Sequence, residues 1–160
     1  MNPMPTTHRE QVDDFLAQRR IAVAGVSRSQ PGVANAIYKK LRAAGYEVFP
    51  VNPSADEVEG DRCYPDLASI PNGVDGVVIG TRPEAAETIV YECARLGIRR
   101  VWMHRFVGQG SVSDAAERFC REHDIAVIAG ACPMMYVPPV DIAHKCFRWM
   151  LAATGRLPAP

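Results

Sequence analysis

Apolar positions along the chain fall into two rhythms, short unbroken runs and helically spaced stripes. The runs are Ile21–Val26, Tyr46–Val51, Gly76–Gly80, Arg99–Met103 and Ile125–Ala129. Unbroken runs of strand length predict strands covered on both faces. Between them lie stretches with helical periodicity. Arg9–Arg19 places Val12, Phe15 and Leu16 on one stripe, Val33–Ala44 closes on Gly45, and a third stretch runs from Pro83 to about Leu96 before Gly97. Val112–His123 and Asp141–Ala153 supply two more, and glycine after the last periodic residue is an ordinary helix stop. Thr81-Arg82-Pro83-Glu84 has the residue order of a capping box with proline near the first helical position. Ser54–Gly73 is polar and proline-containing, which predicts a loop with one helical turn around Asp66–Ile70.

Strand and helix alternate five times, with no internal repeat and no linker. The fold class expected is therefore α/β, a doubly wound parallel five-stranded Rossmann-like sheet forming a single domain. Residues 1–20 form an N-terminal segment with a short helix, 21–135 the sheet domain, and 136–160 a C-terminal helical extension packed on it. Ligands of such sheets sit at the carboxyl ends of the strands, near the reversal of strand order. That rule selects the loops after Val26, Val51, Ile79 and Met103.

Composition narrows the ligand. The chain has 160 residues, and 18 Lys plus Arg balance 18 Asp plus Glu, for a formal net charge of zero. Without a dense basic cluster, nucleic-acid binding, which rests on phosphate neutralisation, is not expected. Five widely spaced cysteines with no Cys-x-x-Cys, and no apolar signal-type core in Met1–Glu10, fit a reducing, cytoplasmic setting. No run reaches membrane-spanning length.

The first loop carries most of the candidate chemistry. Gly25-Val26-Ser27-Arg28 leads from a strand towards a helix, so backbone N–H groups, the Ser27 hydroxyl and the helix terminus offer a site for a diphosphate. Arg28 adds charge, and Gly32 at the helix start permits close approach. Serine stands where the dinucleotide fingerprint has its second glycine. Asn52, followed by Pro53, stands where NAD domains carry an acid for the ribose diol. A neutral amide tolerates a phosphorylated adenosine, which points to coenzyme A or NADP rather than NAD. Thr81, Arg82 and Pro83 provide a third loop, whose arginine can pair with phosphate or stack on adenine.

Ala24–Arg28, the string Gly45-Tyr46-Glu47-Val48-Phe49-Pro50-Val51-Asn52-Pro53, Gly60–Tyr64, Arg82-Pro83-Glu84 and Cys132-Pro133 together resemble the small stand-alone CoA-binding domain proteins. These are similar to the CoA-binding domain of succinyl-CoA synthetase α-subunits. The resemblance covers about Ile21 to Pro133. It implies coenzyme A or an acyl-CoA as ligand, with Gly25, Ser27 and Arg28 on the phosphates and Asn52, Pro53, Thr81 and Arg82 at the adenosine end. The chain departs from the pattern after the fourth strand, where a usual glutamine-leucine-glycine stretch is replaced by His104–Gly110.

Other constellations are weaker. Gly25–Ser29 lacks the last glycine of a nucleophile elbow, although Asp75 or Asp124 with His144 would follow Ser27 in triad order. His104, Cys132, His144 and Cys146 match no compact zinc spacing. Cys132 follows the fifth strand and is the one cysteine whose position suggests a redox or acylation role. Ile142, Cys146, Trp149 and Met150 form a stripe on the last helix, expected to pack on the protein's own core, with a homodimer contact as the functional alternative. No acid–base pair falls in a common site, so the expectation is a binding protein with no assigned catalytic residue and no metal. The alternative is an NADP-dependent oxidoreductase-type domain.

Overall fold

A computed structural model of the chain describes residues 4–106 and 108–157. The ends of the two terminal segments, 1–3 and 158–160, lie outside the described residues. The chain opens with helix α1 (His8–Leu16) and strand β1 (Arg20–Ala24), followed by α2 (Val33–Ala43) and β2 (Glu47–Val51). Next come a two-stranded hairpin, β3 (Glu57–Val58) and β4 (Asp61–Arg62), then β5 (Gly76–Ile79) and α3 (Pro83–Leu96). Strand β6 (Arg100–Met103), α4 (Asp114–Glu122), β7 (Ala126–Ala129), a 3₁₀ turn at Pro133–Met135 and α5 (Ile142–Ala153) complete it.

The five long strands form one parallel sheet in the order β2-β1-β5-β6-β7. The doubly wound fold expected from the alternation is therefore present. Strand order reverses between β1 and β5, which places the switch point between the loops after Ala24 and Ile79.

The period-two alternation of the strands divides the core. Ile21, Val23, Val78, Trp102 and Ile128 pack with Val12, Phe15, Ile37 and Leu41 from α1 and α2. Ala22, Ala24, Val77, Ile79, Val101 and Met103 pack with Val90 and Cys93 of α3 and Cys120 of α4. Trp102 is fully buried, meets Phe15 edge to face at 5.5 Å between ring centroids, and donates its indole N–H to Gly130 O at 3.0 Å. A large apolar ring with its one polar atom satisfied suits the middle of such a core.

Three local expectations fail, each for a physical reason. The segment Ser54–Gly73 contains a hairpin as well as a loop. Glu59 (φ 55°) and Gly60 (φ 82°) form its tight turn, where both central residues need positive φ. The capping box at Thr81 does not form. Pro83 occupies the first helical position, so Arg82 is the N-cap, and the Thr81 hydroxyl donates to Arg82 O instead. The same residue order does form a box at Thr7 and Glu10, opening α1.

The stripe on α5 is the third. Ile142 is 80% exposed and Trp149 74%, and Met150 and Cys146 are exposed as well. Phe147 and Leu151 are the residues that face the core. Helical spacing identified a stripe, and the placement of α5 turned the neighbouring one inward.

Candidate functional site

The carboxyl end of β1 is built around Gly25. Its φ of +97° excludes most side chains, and a Cβ there would lie 2.6 Å from Gly80 O. The first loop therefore lies flat against the end of β5, across the switch point. Val26, next along, buries its side chain completely in the core and offers only its carbonyl, which accepts from Asn52 Nδ2 at 2.7 Å.

Asn35, in the first turn of α2, organises the rest of the loop. It is 2% exposed. Its Oδ1 accepts from Ser27 N at 2.9 Å and Gly32 N at 3.4 Å, and its Nδ2 donates to Ser27 O and to Glu59 Oε1, each at 2.8 Å. The Ser27 Oγ accepts from Gln30 N at 3.0 Å. Glu59 comes from the turn of the β3–β4 hairpin, which is tied to α2 by Tyr38 O–H donating to Asp61 and by Arg42–Asp61 at 2.6 Å. Burial, together with the hydrogen bond to Asp61, pushes the Tyr38 phenol well above its ordinary value. Sequence reading did not single out Asn35, Glu59 or the hairpin. Asn35 and Ser27 are eight positions apart in a helix start and a turn, and only folding joins them.

This network determines which loop groups face outward. The Ser27 amide is consumed by Asn35. Among the described residues the amides of Arg28 and Ser29 have no hydrogen-bond partner, nor do those of the first helical residues, Val33 and Ala34, which have no intrahelical acceptor. Arg28 is exposed, and its guanidinium makes no ion pair among the described residues. Together they form an anion-accepting end of α2 with positive helix polarity. Gly32 is in extended conformation (φ −137°), and the one heavy atom that a Cβ there would approach is Gln30 O, at 4.0 Å. Its backbone therefore does not itself require glycine.

The second and third loops flank the first. Asn52 spans two of them, since its Oδ1 accepts from Ser54 N at 2.8 Å while its Nδ2 holds the Val26 carbonyl. Its side chain is thus already part of the frame, and Pro53 beside it is exposed. Thr81 is half-buried and its carbonyl accepts from Ser111 Oγ at 2.5 Å. Arg82 is exposed and Pro83 half-buried. The residues selected from sequence thus gather at one end of the sheet, around the β1/β5 switch point.

The fourth loop begins with His104, whose N–H donates to Ile79 O at 2.9 Å. Its side chain is 6% exposed and its Nε2 is buried without a partner among the described residues. An orphaned polar atom of this kind costs about 1–3 kcal/mol. Burial lowers the imidazole pKa to about 4, so the ring is neutral at ordinary pH.

Cys132 is 1% exposed and burial pushes its thiol up to about 11, so it packs as a small apolar residue in its protonated form. The triad order also dissolves. Asp75 accepts from the amides of Arg19 and Arg20 at the amino end of the sheet, opposite Ser27, and Asp124 lies in the turn before β7 at that same end. His144 pairs with Asp141 on α5 at 2.6 Å. All five cysteines are free, and no group of three or more His, Cys, Asp or Glu among the described residues is placed to hold a metal ion. No helix of the described residues is long and apolar enough to cross a membrane.

A doubly wound parallel sheet with its first loop at the switch point defines a Rossmann-like α/β domain. Comparison with known proteins makes this specific: the family model of the CoA binding domain matches residues 19–138, and the chain belongs to that family. It is 28% identical over 142 residues to the uncharacterized protein YneT of Bacillus subtilis, covering 88% of this chain and 97% of that one. It is 32% identical over 88 residues to the ADP-forming acetate–CoA ligase II of Archaeoglobus fulgidus, which is 54% of this chain and 13% of the ligase. The chain thus spans a small part of that enzyme's length. Among solved structures, a hypothetical protein from Pyrococcus horikoshii OT3 superposes with a TM-score of 0.73 at 27% identity, covering 84% of this chain and 92% of that one.

Proposed function

We propose that this chain binds coenzyme A or an acyl-CoA at the β1/β5 switch point, as a cytoplasmic binding protein without catalysis of its own. The observation that carries the reading is the pre-built loop from Gly25 to Ser29, inside the span matched by the CoA binding domain family. In this reading the diphosphate takes the free amides of Arg28 and Ser29 and the start of α2, with Arg28 as the charged partner. Asn52, Pro53, Thr81, Arg82 and Pro83 bound the adenosine. The family match favours coenzyme A over NADP, which the residues alone left open. Residues 21–135 would form the binding domain, preceded by an N-terminal segment with a short helix (1–20) and followed by a helical extension packed on it (136–160).

The test is isothermal titration with CoA, NADP and the adenosine diphosphate fragment of CoA. The Ser27→Ala, Arg28→Ala double variant is expected to weaken CoA and the diphosphate fragment alike, by about tenfold or more for the loss of one charge-assisted contact. CoA that does not bind at millimolar concentration, or NADP that binds better, rejects the proposal.

A second copy is the proposed occupant of the outer face of α5, because exposed tryptophan and methionine are favoured at the centres of interfaces. Trp149→Glu is expected to leave folding stability within about 0.5 kcal/mol, as at an exposed position, and to convert dimer to monomer in sedimentation velocity. A wild-type chain that sediments as a monomer throughout the micromolar range rules the pairing out.

A further inference from the structure

The sheet ends at β7, which pairs with β6 on one side and with no described strand on the other. Ala126 N donates to Arg99 O and Gly130 N to Met103 O, so Ala126, Ile128 and Gly130 turn their N–H groups towards β6. Val127 and Ala129, one step out of phase, turn their peptide groups to the free edge. Among the described residues, neither the N–H nor the C=O of these two has a hydrogen-bond partner. Val127 is nevertheless 4% exposed. Peptide groups left unpaired at such depth cost free energy that a further strand would recover.

This edge is the floor of a groove of about 820 Å³. The two helical layers wall it, with Glu117 and Arg121 of α4 on one side and Phe147 of α5 on the other. Phe106 extends the apolar wall, its ring centroid 4.5 Å from that of Phe147. Arg105, Arg121 and Arg156 line the groove against the one carboxylate of Glu117. Arg121 is paired with Glu117 at 2.5 Å, which leaves Arg105 and Arg156 as the excess charge. The Arg105 guanidinium lies over Gly130, just past the carboxyl end of β7, where a Cβ would stand 3.1 Å from Nη2.

We propose that the free edge of β7 is a docking site for an extended acidic peptide segment of another protein, which adds to the sheet as a sixth strand. Main-chain hydrogen bonds to Val127 and Ala129 hold the segment about 4.8 Å from β7. Its apolar side chains pack on Phe106 and Phe147, and its carboxylates pair with Arg105 and Arg156, whose donor forks match them. A second copy of this chain suits the edge less well, because it brings the same excess of positive charge to it. The inference does not depend on the cofactor reading.

The probe is a labelled, end-capped heptapeptide of alternating valine and glutamate, titrated by fluorescence anisotropy. The wild-type chain is expected to bind it at least about tenfold more tightly than the same peptide with lysine for glutamate, the scale of one charge-assisted hydrogen bond. Full N-methylation of the valine–glutamate peptide keeps its charge, removes its N–H donors and is expected to weaken binding by about tenfold or more. Bound peptide should also slow amide exchange at Val127 and Ala129, read by NMR. An Arg105→Gln, Arg156→Gln double variant is expected to lose the preference for glutamate over lysine and to keep the penalty for N-methylation. Equal binding of the methylated and unmethylated peptides, or unchanged exchange at Val127 and Ala129, overturns strand addition. Equal binding of the glutamate and lysine peptides, or no binding of either at millimolar concentration, overturns the acidic partner. A dimer of the wild-type chain that the valine–glutamate peptide dissociates in sedimentation velocity overturns the proposal in favour of a second copy on this edge.

Discussion

Asn35→Ala is expected to lower folding stability by about 2–4 kcal/mol and to weaken coenzyme A binding, although Asn35 is 2% exposed and its side chain is spent on the protein's own loop. The substitution removes four hydrogen bonds at once. It leaves the Ser27 amide and carbonyl without their partners and frees the Glu59 carboxylate in a half-buried position. Each unsatisfied buried group costs about 1–3 kcal/mol, and solvent entering beside half-buried Ser27 recovers part of it. Asn35→Asp should be no milder, because it keeps the acceptor, loses both N–H donors and sets a second carboxylate against Glu59. Urea denaturation measures the stability, and titration with CoA measures the binding. The contrast with Ser27→Ala, Arg28→Ala is informative, since that pair is expected to lose affinity with little loss of stability. If Asn35→Ala unfolds at the wild-type urea midpoint, the loop does not depend on this network.

Gly25→Ala has a comparable expected cost from a different source. The new Cβ would lie 2.6 Å from Gly80 O and 2.7 Å from Gly80 C, both backbone atoms that cannot rotate away, and φ is +97°. A left-handed conformation costs a non-glycine residue about 1–2 kcal/mol, and separating the ends of β1 and β5 adds to it. A total on the order of 3–5 kcal/mol would lower the thermal midpoint by roughly 10 °C in a domain of this size. Gly45→Ala is the internal control. Its φ is +92°, but nothing stands within 4 Å of where its Cβ would be, so only the backbone cost of about 1 kcal/mol is expected. Calorimetric scans of the two variants separate steric contact from conformational strain. Equal shifts would mean that the approach of the first loop to β5 has no energetic weight.

The reach of sequence reasoning can be judged at paired positions. Thr-x-x-Glu occurs at Thr7–Glu10 and at Thr81–Glu84, and caps a helix only in the first case. The difference is itself local, since Pro83 occupies the first helical position and moves the cap to Arg82. The β3–β4 hairpin was beyond local signals, because its strands are two residues each and mostly polar. Its stability comes from contacts made elsewhere, with Tyr64 pairing beside β2 and Asp61 held by Tyr38 and Arg42. On α5, periodicity distinguished a stripe of Ile142, Cys146, Trp149 and Met150 but not which direction it faces. That direction is set by where Pro133–Val140 delivers the helix.

The sequence by itself determined the five parallel strands and the helical crossovers on both faces of the sheet. Buried parallel strands, helix stops and turn residues leave their signatures within a few consecutive residues, and chain chirality then leaves few arrangements. Tertiary structure alone decided which groups of the first loop remain free. The Ser27 amide, Val26 carbonyl and Asn52 side chain all looked available, yet they bond to partners 8 to 26 residues away. It likewise decided that Arg105 lies over Gly130, with no carboxylate partner among the described residues. Those outcomes depend on distances between residues remote in the chain, and no local periodicity carries them.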